Sequence, residues 1–184
     1  MARGRKKASP FKRASPLTVS RPALLVRGSD AQFRQLIHDL IAYGHRLDAC
    51  RDAFAEIIGV SGAQYEILML VGRAGGLSVG EVAARMHRSG AFITIEANKL
   101  VERGILEKAS DPTDGRRVLL RSTAKGQALV EELAPHQRKV NDVLFECLDA
   151  RRFAQLRGLA SGLVACGDRA VAMLELLVQE AEAA

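Results

Sequence analysis

Aromatic residues, cysteines and long apolar runs are scarce in this sequence. Aromatics make up 4% of the 184 residues and tryptophan is absent, so a core must be built mainly from Ala, Leu, Val and Ile, a mixture that favours packed helices. The three cysteines are an odd number without a close pair, which argues against a disulfide framework and favours a reducing cytoplasm. No stretch approaches the roughly 18 uncharged apolar residues of a membrane span, so we expect no membrane partner.

Several motifs of enzymes and cofactor sites are missing as well. No phosphate-binding loop, no C-x-x-C and no H-E-x-x-H pattern occurs. The basic stretch at residues 1–7 leads into no apolar segment, which speaks against a secretory signal. We therefore expect a cytoplasmic protein that is not an enzyme and that needs no cofactor and no metal.

Basic charge is concentrated in two parts of the chain. The net charge is +6, yet residues 1–29 alone carry eight bases and no acid, and residues 60–126 carry a net charge of +3. Residues 30–59 and 127–184 are net acidic, at −2 and −3. This distribution predicts a polyanionic partner on part of the molecule. A solubilising tail beside an ordinary mixed surface is the alternative that charge alone leaves open.

The two N-terminal segments differ in pattern. Residues 1–29 hold three of the five prolines and few large apolar residues in periodic order, which predicts a disordered basic arm. In residues 30–59, apolar residues recur at helical spacing behind a possible cap at Ser29-Asp30. This segment predicts one long helix that takes part in dimerisation.

The C-terminal segment, residues 127–184, also predicts helices. Pro135 should kink or end the first of them. The last helix begins at about residue 150 and places an apolar stripe along Phe153 to Leu177. Because such a stripe needs a partner, we expect the N- and C-terminal helices to form the helical dimerisation lobe of a homodimer.

Residues 60–126 break into shorter elements. A capping box at Ser78–Glu81 opens one helix, and Ser89 caps the next, which stops at Gly104. Two short strands then flank the turn Asp111–Gly115. This order predicts a winged helix-turn-helix. The expected fold class is therefore mainly α, with a winged helix-turn-helix DNA-binding lobe beside the dimerisation lobe.

The motifs of this middle segment resemble those of the MarR family of transcriptional regulators. In chain order they are Gly62–Tyr65, Ser78–Ala83, Ile93-Thr94, Leu100–Leu106, Asp111–Arg116 and Thr123–Gly126. The most specific piece is the pair formed by Glu102–Gly104 and the downstream Asp111–Arg116. Two positions depart from the family pattern, since Ser122 stands where Leu is usual and Glu96 where an apolar residue is usual.

A recognition helix enters the major groove of double-stranded DNA with its N-terminus first. Helical phase points Ile93, Ala97 and Leu100 inward. The predicted DNA contacts are Arg88, Ser89, Ala91, Thr94, Ile95, Asn98 and Lys99. Among them, Asn98 suits an adenine edge and the small side chains suit a thymine methyl group, whereas the two cations suit phosphates.

The hairpin tip supplies further predicted contacts. In the resembling family, the Arg that follows Asp-Gly enters the minor groove of the operator while the Asp steadies it. The resemblance implies these roles for Arg116 and Asp114, with Arg117 as a second cation at the tip. A narrow, A·T-rich minor groove concentrates negative potential and favours such an arginine.

Members of the resembling family commonly hold a small phenolic or aromatic acid between their lobes and release DNA when it binds, which implies a repressor. On the first helix, Arg51 lies within the apolar stripe, where a cation needs a partner. That partner is Asp48 or the carboxylate of a ligand. His38, His45 and Tyr43 lie at the margins of the stripe, so we predict that these five residues bind an aromatic or heteroaromatic acid. A dimer-interface ion pair beside surface histidines remains the alternative.

Three other functions stay open. A redox-sensing regulator would use Cys50, the only cysteine near the predicted effector site. A metal sensor would join His38 and His45 to an acid, although their spacing of two helical turns is long for one ion. A non-specific architectural nucleic-acid-binding protein would suit the basic arm, whereas the few aromatic residues speak against stacking on single strands.

Overall fold

The computed structural model describes residues 16–183 and shows a mostly helical chain with one small sheet. Within that range the elements are α1 Ala31–Ile57, α2 Gly62–Ala74, α3 Val79–Met86, α4 Gly90–Glu102, β1 Leu106–Ser110, β2 Val118–Ser122, α5 Ala124–Leu144 and α6 Ala150–Glu182. A short 3-10 helix, Pro22–Leu24, precedes α1. Helices α2 to α4 followed by the two strands form a winged helix-turn-helix, so the predicted fold class is confirmed.

The chain divides into two compact units, one ending at Gly62 and the other beginning at Ala63. The first unit contains α1, and the second contains α2 to α6 and the sheet. The sequence places a boundary after residue 59, close to this division. The assignment of α5 and α6 to a dimerisation lobe stays a prediction.

In the first unit, a buried carboxylate ties the chain before α1 to the start of that helix. Asp30 is 1% exposed. Thr18 donates to Asp30 Oδ2 from its backbone amide and its hydroxyl, each at 2.7 Å, and Arg34 donates to the same oxygen at 2.8 Å. The two bonds from Thr18, followed by the charge of Arg34, hold the pKa of Asp30 below its usual range.

The predicted cap of α1 is only partly as expected. Asp30 occupies the N-cap position, but its side chain makes no capping hydrogen bond. Its carboxylate is instead engaged by Thr18 and Arg34. The Ala31 amide donates to Ser29 Oγ at 3.2 Å.

The predicted disordered arm differs from the structure where the two can be compared. Residues 1–15 lie outside the described residues. In residues 16–29 the chain forms the 3-10 helix, and Val26 and Ser29 pair through two backbone hydrogen bonds of 2.9 and 3.0 Å. Together with the Thr18 bonds, these contacts order the second half of the predicted arm.

The core of the second unit is aliphatic, as the shortage of aromatics predicts. Its large side chains that are less than 2% exposed are Ile67, Leu68, Val71, Val82, Ile93, Leu100, Ile105, Leu106, Leu120 and Leu133. They come from α2, α3, α4, the residue before β1, the two wing strands and α5. Burial of this apolar area fixes the recognition helix against the rest of the unit.

The two caps predicted inside the helix-turn-helix are confirmed. The Glu81 amide donates to Ser78 Oγ at 3.3 Å, and the Ser78 amide donates to Glu81 Oε2 at 2.8 Å, which completes a capping box. At α4, the Phe92 amide donates to Ser89 Oγ at 3.2 Å. Between these helices, His87 adopts the left-handed conformation with φ of 49° and ends α3.

Strands β1 and β2 form the antiparallel hairpin of the wing, with Leu106 opposite Ser122 and Ser110 opposite Val118. The chain before α3 adds a bridge to this hairpin. The Leu77 amide donates to the Leu120 carbonyl at 3.1 Å, and the Leu120 amide donates back at 2.8 Å. The base of the wing is therefore bonded to the chain entering α3.

The first turn of helix α5 is bonded to the chain that leads into β1. Thr123 Oγ1 donates to the Gly104 carbonyl at 2.7 Å and accepts from the Gly126 amide at 3.1 Å. A Cβ atom at Gly126 would lie 2.3 Å from the Ile105 carbonyl oxygen, so only glycine fits there without a shift. α5 runs from Ala124 to Leu144 with Pro135 inside it, so of the two effects predicted for Pro135, a kink or an end of the helix, the second is wrong.

Helix α6 exposes its whole length in this chain. None of its 33 residues is buried. Its exposed large apolar side chains include Phe153, Leu156, Leu159, Leu163, Val164, Val171, Leu174 and Leu177. Within residues 16–183, no single helix is long and apolar enough to cross a membrane, and α1 and α2 meet those criteria only when counted together.

Candidate nucleic-acid interface

Helix α4 presents one buried face and one exposed face, as helical phase predicts. Ile93, Ala97 and Leu100 are at most 1% exposed. Opposite them, the predicted contacts Ser89, Ala91, Thr94, Ile95 and Lys99 are exposed, and Asn98 is half-buried. The structure therefore brings the predicted α4 residues together on the outer side of a helix that starts at a capped N-terminus.

Two side chains on this face have internal partners that bear on what they can contact. Thr94 Oγ1 donates to the Gly90 carbonyl at 2.8 Å, so its hydroxyl is engaged within the helix. Lys99 Nζ pairs with Glu96 Oε1 at 2.5 Å. A phosphate contact by Lys99 therefore takes place beside a carboxylate that neutralises part of its charge.

The unusual Glu96 belongs to a buried polar pair. Glu96 is 9% exposed, and its Oε2 accepts a hydrogen bond from Gln64 Nε2 on α2 at 2.9 Å. Gln64 is 8% exposed. Sequence reasoning noticed Glu96 only as a departure from an apolar position and missed this contact, since Gln64 lies 32 residues earlier and nothing local announces the pairing.

Arg88 lies just before α4 and is exposed. Its guanidinium carbon lies 5.8 Å from the centroid of the Phe92 ring, within the range of a cation–π contact. Phe92 itself is 37% exposed and was not among the predicted DNA contacts. The contact holds an arginine and an aromatic ring side by side at the entrance of the recognition helix.

At the wing tip, Asp114 contacts Arg116 as predicted, but it contacts the backbone of Arg116 and not its guanidinium. The Arg116 amide donates to Asp114 Oδ1 at 3.1 Å, which stabilises the turn rather than the guanidinium. The Arg116 side chain is exposed, and no ion pair of it is found among residues 16–183. Its charge is therefore unneutralised at the tip.

Arg117 differs from the predicted second cation of the tip. Its guanidinium lies 3.2 Å from Glu81 Oε2 and 3.7 Å from Asp111 Oδ2. It therefore joins the wing to the start of α3. Both carboxylates compete with phosphate for its charge, and its contact with DNA stays a prediction.

Both carboxylates of this brace are held in their ionised form. Hydrogen bonds from Ser78, followed by the charge of Arg117, lower the pKa of Glu81. Hydrogen bonds from Thr113, followed by the same charge, lower the pKa of Asp111. The Thr113 amide and hydroxyl donate to Asp111 Oδ1 at 2.8 and 2.7 Å. The wing thus carries a fixed charge pattern at neutral pH.

Residues Gly76–Gly80 spell G-x-S-x-G, a pattern that also marks nucleophilic serines. Here Ser78 is the N-cap of α3, and its hydroxyl donates to Glu81 Oε2 at 2.6 Å. The pattern in this chain therefore serves helix capping.

The predicted effector residues all lie on α1. His38 and His45 are exposed and Tyr43 is half-buried. Arg51 Nη1 pairs with Asp48 Oδ1 at 2.9 Å, and Arg51 Nη2 pairs with Asp52 Oδ1 at 3.2 Å. The ion pair with Asp48, one of the two partners considered for Arg51, is present in the structure. Sequence reasoning missed the second acid.

The second unit contains a cavity that sequence reasoning did not predict. It has a volume of about 390 Å³ and is lined by Leu68, Met69, Gly72, Arg73, Ser122, Gln127, Val130, Glu131 and Gln137. Its polar groups include Gln137, which donates through Nε2 to Tyr65 Oη at 2.7 Å. Ser122 Oγ is buried without a hydrogen-bond partner among the described residues. The sequence signal for this cavity was Ser122, which stands where the family usually has Leu, because a Leu side chain would occupy part of this space.

The other candidate residues are the cysteines and the possible metal ligands. Cys50 is half-buried, and Cys147 and Cys166 are exposed free cysteines. In the part of the chain that the structure describes, no group of three His, Cys, Asp or Glu residues is placed to hold a metal ion.

Comparison with known proteins agrees with this geometry. The model of the MarR family matches residues 58–117, which span α2 to the wing tip. The uncharacterised HTH-type transcriptional regulator YhbI of Bacillus subtilis is 24% identical over 147 residues, or 80% of this chain and 92% of YhbI. The family resemblance inferred from the sequence motifs is therefore confirmed.

Two solved structures share the fold. CouR from Rhodococcus jostii RHA1, bound to p-coumaroyl-CoA, has a TM-score of 0.66 and 23% identity, over 73% of this chain and 95% of that one. A mutant MarR from E. coli complexed with operator DNA has a TM-score of 0.57 and 22% identity, over 72% of this chain and 94% of that one.

Proposed function

We propose that the chain, which is similar to MarR-family transcriptional regulators, is a repressor that a small aromatic or heteroaromatic acid releases from a palindromic operator. The observation that carries the proposal is the outer face of α4. A capped helix N-terminus presents small and polar side chains and the apolar Phe92 and Ile95 there, while the opposite face is packed into an aliphatic core. Such a helix can enter a major groove without unfolding any part of its own unit.

The wing supplies the second contact. Arg116 is exposed at the tip with no ion pair among residues 16–183, and the brace through Arg117 fixes the strands from which it projects. A guanidinium so placed suits the negative potential of a narrow minor groove. The mutant MarR bound to operator DNA shares this fold, which supports the same mode of binding here.

We propose a homodimer as the DNA-binding species. α6 carries apolar side chains along its length and buries none of them within one chain. A second copy is the partner that covers such a stripe on both chains at once, because a two-fold interface uses the same surface of each subunit. Two recognition helices would then reach half-sites about one helical turn, roughly 34 Å, apart.

For the effector, we propose contacts by His38, Tyr43, His45, Asp48 and Arg51. Arg51 is held by Asp48 and Asp52, and a ligand carboxylate would take the place of one of these acids. CouR, which shares the fold, is bound to p-coumaroyl-CoA, an aromatic acyl thioester. Effector binding releases DNA when the ligand prefers a separation of the two recognition helices that does not match the operator.

Anisotropy titrations with the duplex upstream of the protein's own coding sequence test this proposal. Benzoates, hydroxybenzoates and pyridine carboxylates are added to the complex, and an active compound should lower DNA affinity. By linkage, DNA should lower the affinity for that compound by the same factor, which calorimetry measures. A response only to oxidants, abolished by Cys50→Ser, would instead establish the redox-sensing alternative.

Variants locate the effector. If the α1 residues bind it, Arg51→Ala and His45→Ala weaken the response, while Ser122→Leu, which fills the cavity between α2 and α5, leaves it unchanged. The opposite pattern would place the effector in that cavity and overturn the α1 assignment. Arg46→Ala serves as the matched control, since Arg46 is an exposed cation of α1 outside the proposed set.

A further inference from the structure

Large apolar side chains are rarely exposed on the winged helix-turn-helix segment. Within residues 63–126, those exposed are Phe92 at 37%, Ile95 at 57% and Val118 at 55%. Two of the three lie three residues apart on α4, the helix whose outer face is proposed to enter the major groove. This placement needs a chemical reason, because a helix that met only phosphates and polar base edges would gain nothing from two exposed apolar side chains.

We infer that Phe92 and Ile95 read the C5-methyl groups of thymines on neighbouring base pairs. In the major groove, the thymine methyl is the apolar group that a base presents to a protein. Residues three apart on a helix are separated by about 4.5 Å along its axis, at a rise of about 1.5 Å per residue. Successive bases on one strand are spaced by about 3.4 Å, so adjacent thymines fall within reach of both side chains.

The neighbours of the two side chains support DNA as the occupant. Arg88 lies 5.8 Å from the Phe92 ring and Lys99 lies on the same helix, so cations flank the apolar pair. This mixture fits a groove in which methyl groups lie between two phosphate backbones. A protein partner would need about 800 Å² on this surface, and two side chains supply far less.

The cation–π contact gives the ring a defined position before DNA binds. Arg88 packs against the Phe92 ring, and the Phe92 amide is bonded to the Ser89 cap. Less side-chain freedom is then lost on binding, which favours a specific contact over a loose one. Phe92 therefore acts as a specificity-determining residue beside Arg88, which binds the adjacent phosphate.

This inference rests on the proposed operator binding, and its test separates the two. The wild-type protein selects duplexes from a random 30-bp pool. In the selected half-site each thymine is then replaced, one at a time, by deoxyuridine, which lacks only the methyl group. At two adjacent positions the affinity should fall about fourfold each, the factor expected for one methyl group returned to water. 5-Bromodeoxyuridine, whose bromine is similar in size to a methyl group, should restore it.

Variants assign each methyl group to a side chain. Phe92→Ala should lose the response to deoxyuridine at one of the two positions, and Ile95→Ala at the other. Val118→Ala is the matched control, since Val118 is equally exposed but lies on β2, and it should keep both responses.

Several outcomes would overturn the inference. One is a selected site without thymine under α4, and another is indifference of the wild type to every deoxyuridine. A third is a full deoxyuridine response in both Phe92→Ala and Ile95→Ala. If no duplex is enriched over random DNA, the proposed function itself fails, which is a different result from specific binding that ignores the methyl groups.

Discussion

Gln64 on α2 donates to Glu96 on the recognition helix at 2.9 Å, and both residues are buried. This hydrogen bond joins the second unit's first helix to the helix proposed to read DNA. A bond to a charged acceptor in a buried setting is stronger than a neutral one, and leaving either group without its partner is costly. The pair therefore helps to set where α4 sits.

Glu96→Ala should destabilise the protein by about 1–3 kcal/mol, because Gln64 would be left buried without its acceptor. Glu96→Gln should cost less, since it keeps an acceptor for Gln64. Urea unfolding of the two variants, together with Gln64→Leu, Glu96→Leu and the double variant Gln64→Leu/Glu96→Leu, measures the coupling. If the effects of the two Leu substitutions are additive, the two side chains do not act as a pair.

Gly126→Ala should destabilise the fold by about 1–3 kcal/mol, as overpacking does, because the new Cβ would collide with the Ile105 carbonyl at the base of the wing. Gly80→Ala is the matched control on α3, where a Cβ meets nothing within 4 Å. It should leave stability unchanged or raise it by less than about 1 kcal/mol. Thermal unfolding checks both, and equal effects at the two positions would contradict the docking of α5 described above.

The capping residues and the inward face of α4 were predictable from sequence, whereas the contacts of Gln64 and Thr18 were not. Ser78 and Ser89 each accept a hydrogen bond from an amide three residues away, so these caps can be predicted from the local sequence. Gln64 meets Glu96 across 32 residues and Thr18 meets Asp30 across 12. Such pairs depend on how the elements pack, which neither periodicity nor local spacing encodes.

In the wing, too, the contacts between separate elements could not be predicted from the sequence. The turn chemistry of Asp111–Gly115 predicts a hairpin with cations near its tip, and the hairpin forms. Which cation stays exposed depends on Glu81, which lies on another element and captures Arg117. Sequence alone therefore identified the wing but assigned Arg117 to its tip.

Arg116→Ala should weaken operator binding strongly, and more at A·T-rich flanks than at G·C-rich flanks, because the minor groove is narrower and more negative there. Its thermal stability should match that of the wild type, since the side chain is exposed with no ion pair among residues 16–183. Arg117→Ala should instead weaken binding to both kinds of flank alike through loss of the brace. Fluorescence anisotropy measures the affinity of each variant for duplexes with A·T-rich and with G·C-rich flanks. If Arg117→Ala showed the dependence on flank and Arg116→Ala did not, the roles of the two arginines would be exchanged.

Asp30→Asn should lower stability at neutral pH, because the carboxylate accepts the bonds from Thr18 and Arg34. The pKa of Asp30 is lowered in the folded state, so its contribution is complete above the unfolded value of 3.8 and is lost as the pH falls through the lower, folded value. The difference in melting temperature between the wild type and the variant should therefore shrink below about pH 4. Glu56→Gln, on the exposed surface of the same helix, is the control, and a gap that persists in acid would contradict this role.

Removal of residues 1–15 should weaken binding to every duplex to a similar degree and flatten the dependence of affinity on salt. The segment carries six Lys and Arg residues, and a basic arm that neutralises phosphates does not discriminate between DNA sequences. Thr18 and its bonds to Asp30 remain in the shortened chain. Affinities for selected and random duplexes between 50 and 200 mM salt, the approximate range over which phosphate contacts dominate, measure the slope. A loss confined to the selected duplex would instead assign base reading to the arm.

Recognition of a specific operator by α4 and the wing can be tested directly. The affinity of the full chain for the duplex upstream of its own coding sequence is compared with that for random duplexes at one salt concentration. We expect a preference of at least about 1,000-fold, the lower end for specific DNA-binding proteins. Equal affinity for both duplexes would contradict it and establish a non-specific architectural DNA-binding protein.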